Sequence, residues 1–416
     1  PASRPSSARK AILPPRTPRT ENRDEEATTG EGLQPSPFFM KVKCKISPRL
    51  IMSMASLYID AVRVFMEFVD NSIDAADIDN NMTAELTGED PCANHKYRID
   101  VRISGGWYKS GHVEISDNCS GIKDLRKIVE NIGNSEKKSQ AWLNGQFGYG
   151  LYSFLAICSY LEITTKHKDN PYSEYVKISS DAFRVDDLND LAFEIVRQPA
   201  HTPVSGTMVM LSGFAKEYWR NLDYMALKNE IGKHFELLLK NDALEINVTG
   251  FDDIKRKCMP FNYDAYDGVV FDKTVPIDVK SEGKSGKPHK KEIQVYLKYM
   301  PKISLDRQPV VISKNRRVTE LWPIKAFKSN HRRDIWNHPS ITGYIDTKDL
   351  LSPTIARNDF KNDKNFKLIC KAVLQLEDEI LATFKSATES EVERDFSEIE
   401  SGFNSKLEGI LESESN

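Results

Sequence analysis

Three side chains in the stretch FMEFVDNSIDAAD, Phe65 to Asp77, share a spacing that suits chemistry. Glu67, Asn71 and Asp74 stand at i, i+4 and i+7, so on a helix they line one face, one above another. Val62, Phe65, Val69 and Ile73 form a second stripe that faces another way. A carboxylate and an amide one turn apart can polarise a water and complete the oxygen shell of a magnesium ion on a nucleotide. The same pattern also describes a solvated acidic helix face, which is common.

Three further segments follow in order. EISDNCSGI, Glu114 to Ile122, is a strand running into a small-residue turn. An aspartate at that strand end, Asp117, can accept a hydrogen bond from an exocyclic amine, while Gly121 lets a flat ring approach the backbone. Asp-Asn followed by Ser-Gly is equally the composition of an ordinary turn. In GQFGYGLYSF, Gly145, Gly148 and Gly150 precede an apolar stretch, Leu151 to Tyr160, read as helical. Glycines at a helix entry present open N–H groups and the positive end of the helix dipole, which suits phosphate. Finally GTMVMLS, Gly206 to Ser212, starts a strand in which Thr207 offers a hydroxyl.

These residues need a scaffold. Strand patterns occur at Tyr97–Ser104, His112–Asp117, Leu161–Lys166, Tyr175–Ser179 and Gly206–Ser212, alternating with helical stretches such as Pro48 to Ala76. An α/β sandwich, classed as α+β, is the expected architecture. Residues 1–38 hold seven prolines and almost no large apolar side chains, and are expected to be a disordered tail. The first domain is expected over 39–214. A second α/β unit is expected over 215–387, with a helix at its start (WRNLDYMALKNEIGKHFELLLK) and a long one at its end (FKLICKAVLQLEDEILATF). Residues 388–416 hold nine acidic and two basic side chains, with Phe396, Ile399, Phe403, Leu407 and Leu411 spaced as on an amphipathic helix or an acidic tail.

Composition narrows the classes. The chain has 416 residues, 39% hydrophobic and 29% charged, too long for one ordinary domain. No apolar run approaches the roughly 20 residues that span a bilayer. The six cysteines are scattered without a CxxC pair, which argues against a zinc site and for reduced thiols in a cytoplasmic or nuclear compartment. A net charge of -3 excludes a globally basic nucleic-acid binder, but Lys280 to Arg333 carries fifteen Lys or Arg against four acidic residues.

Taken together, Glu-x-x-x-Asn, Asp-x-x-x-Gly, a Gly-rich segment and Gly-Thr resemble the Bergerat nucleotide-binding fold of the GHKL ATPases. That family includes gyrase-type topoisomerases, ninety-kilodalton heat-shock chaperones, histidine kinases, MutL and the Microrchidia (MORC) proteins. The resemblance spans Pro48 to Ser212, and GQFGYGLYSFLAICSYLEITTK looks like the chaperone version of the lid. It implies a two-layer α/β sandwich ATPase domain using ATP and Mg2+. Glu67 would be the general base and Asn71 the magnesium ligand, with Asp74 beside them at the nucleotide. Asp117 would accept the adenine amino hydrogen, with Gly121 shaping the pocket and Thr207 assisting through water. Gly145, Gln146, Phe147, Gly148, Tyr149 and Gly150 would close over the phosphates, with Lys137 or Lys138 adding charge. Cys119 stands where the family usually has glycine.

The second unit resembles a transducer domain. Pro353, Thr354, Arg357, Asp359 and Phe360 in GYIDTKDLLSPTIARNDF match the MORC pattern of Pro-Thr, a basic residue and Asp-Phe. Arg357 would then sense the γ-phosphate. VVISKNRRVTEL, Val310 to Leu321, resembles a MORC strand-turn-strand. The resemblance implies a slow ATPase, below the roughly 10 s⁻¹ median of enzymes. Two chains would dimerise on ATP through their N-terminal domains, FFMKVKC exchanging between them. The clamp would hold duplex DNA against the basic region or, alternatively, a protein client as chaperones do.

Overall fold

The computed structural model describes residues 47–56, 58, 60–87, 95–130, 150–200, 204–240, 242–280, 288–305, 307–314, 316–320, 333–352, 354 and 359–386. The chain divides into units 1–44 and 45–416, and all described residues lie in the second. The expected tail (1–38), the FFMKVKC segment and the acidic segment (388–416) lie outside the described residues.

Alternation builds the first sheet. In β1 (Tyr97–Ser104), Tyr97, Ile99, Val101 and Ile103 are buried and the residues between them are not, the period-two pattern of a strand with one covered face. β2 (His112–Asp117), β3 (Cys158–Lys166), β4 (Tyr172–Ser179), β5 (Ile195–Pro199), β6 (Gly206–Phe214), β7 (Leu244–Thr249) and β8 (Lys255–Lys257) join it in the order β5-β4-β3-β6-β2-β1-β7-β8. Pairing is antiparallel throughout except between β1 and β7.

Helices cover the apolar face of this sheet. The expected helix from Pro48 to Ala76 is two helices, α1 (Arg49–Ala55) and α2 (Ala61–Thr87). Asp60 separates them, its Oδ1 accepting from the Val62 N–H at 2.9 Å and capping α2. Residues 64–70 of α2 are all buried, whereas a surface helix buries one stripe. Phe65, Phe68, Val69 and Ile73 share a core with Ile99, Val101, Ile115 and Leu161, so α2 is internal to its domain. α3 (Leu125–Glu130) lies beyond β2.

Two expectations change. The apolar stretch Leu151 to Tyr160 is not an α-helix: a 3-10 turn, Gly150–Ala156, gives way to β3 at Cys158. Pairing of Cys158 through Lys166 with β6 captures the end of that run, since an apolar segment this short is ambiguous until a partner strand claims it. The boundary expected at 214/215 falls inside the first core. α4 (Lys216–Arg220), α5 (Tyr224–His234), α6 (Glu236–Leu239) and β7 contribute Trp219, Leu227, Ile231, Phe235, Ile246 and Val248 to it.

A second sheet holds β9 (Val269–Lys280), β10 (Pro288–Tyr299), β11 (Val310–Ser313), β12 (Arg316–Glu320) and β13 (Ile341–Asp346), in the order β12-β11-β13-β10-β9. The short α7 (Arg333–Trp336) precedes β13. α8 (Lys364–Gln375) is capped by Asp363 and buries Phe366, Ile369, Cys370 and Val373 at helical spacing. They pack with Ile293, Val295, Leu297 and Trp336 in a separate core. Residues 377–386 continue as helix, and the Trp336 indole N–H donates to Glu377 at 2.7 Å. The molecule is α+β, with a large mixed sheet under helices. Among the described residues no helix is long and apolar enough to cross a membrane.

Candidate nucleotide-binding site

Asp117 ends β2 and is bonded from three directions. Its Oδ2 accepts from the Ser72 hydroxyl of α2 at 2.9 Å, and its Oδ1 accepts from the backbone N–H groups of Cys119 and Thr207 at 3.1 and 3.2 Å. A carboxylate offers roughly four lone-pair positions, so one acceptor site remains for an outside donor. Burial raises the carboxyl above its ordinary value, opposed by the hydrogen bonds from Ser72, Cys119 and Thr207. The result is an oriented acceptor, the group that an exocyclic amine needs.

Two glycines let the chain come this close. Gly121 has φ +74, and a Cβ there would stand 2.1 Å from the Lys166 carbonyl oxygen, so both conformation and space require glycine. Gly206 has φ +151, with the Asp117 carbonyl oxygen 2.2 Å from its missing Cβ. Thr207 acts on Asp117 through its N–H. Its hydroxyl lies 3.1 Å from the Thr165 hydroxyl, which in turn accepts from the Ile122 N–H at 2.8 Å. Cys119, the departure from the family pattern, keeps a negative φ and turns its buried side chain into a cluster with Ala76 and Tyr97, its thiol 3.6 Å from the Ser72 carbonyl.

At the other end, Glu67 is buried and Asn71 half-buried, one turn apart on α2. Asp74 has no exposed surface (0%), so direct ligand contact in this conformation is open to Asn71 and not to Asp74. The backbone of Gly150 lies against Glu67: a Cβ on Gly150 would stand 2.7 Å from Oε2. The two segments flanking 131–149 are tied together, because the Tyr152 hydroxyl donates to the Val129 carbonyl of α3 at 2.8 Å. Glu174 fixes α3 from below by accepting from the Leu125 N–H at 3.0 Å and from Arg197 Nε at 2.8 Å.

α2 thus carries Glu67 against Gly150 and, through Ser72, meets Asp117, which Thr207 N–H also bonds. Lys137, Lys138, Gly145, Gln146, Phe147, Gly148, Tyr149 and Arg357 lie outside the described residues. On either side of 355–358, Thr354 N–H donates to Asp359 O at 2.8 Å and Lys361 N–H to Ser352 O at 2.9 Å. Sequence reasoning missed Ser72, Thr165 and Asp79. Asp79 takes the Ser120 N–H at 2.7 Å and the Ser120 hydroxyl, anchoring the turn after Asp117 to α2. Ser72 lies within the Asn71–Asp74 pattern and Asp79 follows it on the same helix, and that proximity is the only local signal they carry.

Asn71 would offer a magnesium ion an amide oxygen, a donor of the kind that ion takes. Among the described residues no cluster of three or more His, Cys, Asp or Glu could hold a metal ion.

Comparison with known proteins agrees with this geometry. Residues 59–198 match the family model described as histidine kinase-, DNA gyrase B-, and HSP90-like ATPase. The chain is 22% identical over 335 residues to the chaperone protein HtpG of Francisella tularensis subsp. holarctica, covering 74% of this chain and 49% of that protein. It is 23% identical over 237 residues to HtpG of Alcanivorax borkumensis, covering 52% of this chain and 35% of that protein. The chain thus spans at most about half the length of the curated relatives it matches. Residues 59–198 are thus similar to the ATPase domains of histidine kinases, DNA gyrase B and HSP90-like proteins, HtpG among them.

Proposed function

We propose that this GHKL-type chain binds ATP with Mg2+ and hydrolyses it slowly, in a cycle of closing and opening rather than of metabolic turnover. The observation that carries the reading is the Asp117 carboxylate, oriented by Ser72, Cys119 N–H and Thr207 N–H with one acceptor position left over. The adenine amino group donates to that position, and Gly121 leaves room for the ring. Glu67 takes the proton of the attacking water, and burial keeps that carboxylate away from competing solvent. Asn71 would hold a magnesium ion, which when bound would neutralise phosphate charge. Lys137, Lys138 and the residues Gly145 to Gly150 close over the phosphates. Arg357 reaches the γ-phosphate from the second unit, and two chains pair in the closed state.

Two readings of the cargo have support. The excess of basic residues from Lys280 to Arg333 favours a sequence-independent hold on duplex phosphates, as in MORC-type ATPases. Part of that charge is spent internally: Lys298 and Arg307 are buried in hydrogen bonds, and Lys291 pairs with Asp349 at 2.7 Å. The likeness to HtpG favours a protein client instead.

The deciding experiment measures magnesium-dependent ATP hydrolysis and oligomeric state in the same samples for wild type, Glu67→Ala and Arg357→Ala. Slow turnover in wild type, an ATP-bound dimer trapped by Glu67→Ala, and failure of Arg357→Ala to close are expected. Unchanged hydrolysis in Glu67→Ala overturns the catalytic assignment. For the cargo, salt-sensitive duplex binding lost in a variant carrying Glu at Arg316, Arg317, Arg332 and Arg333 supports DNA. Suppression of client aggregation without DNA supports the chaperone reading.

A further inference from the structure

A buried ion pair joins the two sheets. Arg307, between β10 and β11, donates through Nη2 to Glu236 of α6, and both residues are buried. The same nitrogen donates to the Tyr263 hydroxyl at 3.1 Å, and that hydroxyl donates to the other Glu236 oxygen at 3.0 Å. Arg307 Nε reaches the Thr342 hydroxyl of β13 at 3.2 Å. Lys298 of β10, also buried, donates to the Tyr263 carbonyl at 2.9 Å. The rings of Phe261 and Tyr263 lie 4.6 and 5.7 Å from the guanidinium. Glu236 sits on the first core, Thr342 in the second sheet, and Tyr263 in the small cluster between them with Val310, Ile312 and Tyr344.

Stability alone does not call for such a group. Desolvating two charges offsets their attraction, and apolar side chains of equal volume commonly do as well. A forked guanidinium with three acceptors adds a fixed direction, which greasy contact does not supply.

The joint is continuous with the nucleotide site on one side and with the loop after β13 on the other. Arg63, one turn before Glu67 on α2, places Nη1 3.4 Å from Nδ1 of His234, the last residue of α5 and two positions before Glu236. β13, held by Arg307 through Thr342, is followed by Ser352 and Thr354, which bond to Lys361 and Asp359.

We propose that Glu236 and Arg307, with Tyr263, form the joint that sets the orientation of the second sheet to α2, so that the two move together when nucleotide closes the site. They are positioning residues and touch no substrate. The turnover arm of the test rests on the ATPase reading above, whereas the melting arm does not.

The test uses the full chain as wild type, Arg307→Met, and the double variant Glu236→Leu/Arg307→Met. Calorimetric melting, ATP affinity and steady-state kcat are measured for each. Wild type is expected to melt in one transition. Arg307→Met alone leaves Glu236 buried and unpaired and lowers the melting temperature. The double variant regains that temperature but melts in two transitions, keeps ATP affinity within about twofold and loses about tenfold in kcat. The proposal is overturned if the double variant melts in one transition, if its kcat is unchanged, if affinity and kcat fall together, or if wild type already melts in two. Should wild type not hydrolyse ATP, the ATPase reading fails and the melting profiles alone decide the joint.

Discussion

The backbone of Gly150 is seated on the carboxylate of Glu67, with 2.7 Å between Oε2 and the position of a Cβ on the glycine. The atom met is the far end of a flexible side chain, and Gly150 does not adopt a left-handed φ. Gly150→Ala is therefore expected to displace the carboxylate rather than the fold. Melting should change by less than about 0.5 kcal/mol, while kcat falls by about tenfold or more, because the proposed general base, displaced by an ångström, loses its alignment. Glu67→Ala, which removes the proposed base, should cost about 10²–10⁴ in kcat with ATP affinity retained. Steady-state kinetics beside thermal melts check both.

Asp117→Asn turns an amide N–H2 towards donors that now point at a carboxylate, and it is expected to weaken ATP binding by about 10- to 100-fold. Titration of a fluorescent nucleotide reads this directly, and unchanged affinity would remove Asp117 from the adenine site.

The pH dependence of binding follows from the same residue. Burial raises the Asp117 carboxyl above its ordinary 3.8, so the folded chain protonates it at a higher pH than the unfolded chain does. Its contribution to folding is therefore present below the ordinary value and lost as pH rises through the raised one. The proposed ATP binding has the opposite sign, because the acceptor must be ionised. Affinity should fall on acidification through the raised pKa, earlier than an ordinary aspartate would dictate, and Asp117→Asn should abolish that limb.

Tyr152→Phe removes the bond that ties the two flanks of 131–149. The Val129 carbonyl it leaves is in a buried residue, so a loss of about 1–2 kcal/mol in denaturant unfolding is expected. A loss of kcat at unchanged ATP affinity in the same variant would mean that the flanks must be held together for closure.

Glu245 on β7 is bonded by Asn247 and Lys96, which hold its carboxyl down at about 2. A depressed carboxylate contributes stability above its ordinary value of 4.5, and the contribution is lost as pH falls towards about 2. Glu245→Gln should lower stability near neutral pH and flatten the acid-unfolding curve in that window, as circular dichroism against pH would record.

The local part of this protein is written in its sequence. The turn-apart spacing of Glu67 and Asn71, the alternation in Tyr97–Ser104, and the aspartate and glycine that bracket the turn after β2 each depend on neighbours within a few residues, and each appears in the structure where its pattern places it. What surrounds them depended on distance along the chain. Asp117 is oriented by Ser72 and Thr207, 45 and 90 residues away, and no periodicity links such positions. The end of the apolar run after Gly150, from Cys158 on, became a strand because β6 offered an edge to pair with. The first domain extends past residue 214 because β7 lies parallel to β1, 147 residues earlier by the register of Tyr97 with Leu244. Helical and strand periods are enforced by backbone geometry over a few residues and can be read from the sequence. Sheet order, the Glu236–Arg307 joint and the bonds that aim Asp117 come from burying apolar faces together, and only the folded chain decides which distant polar groups that burial brings within reach.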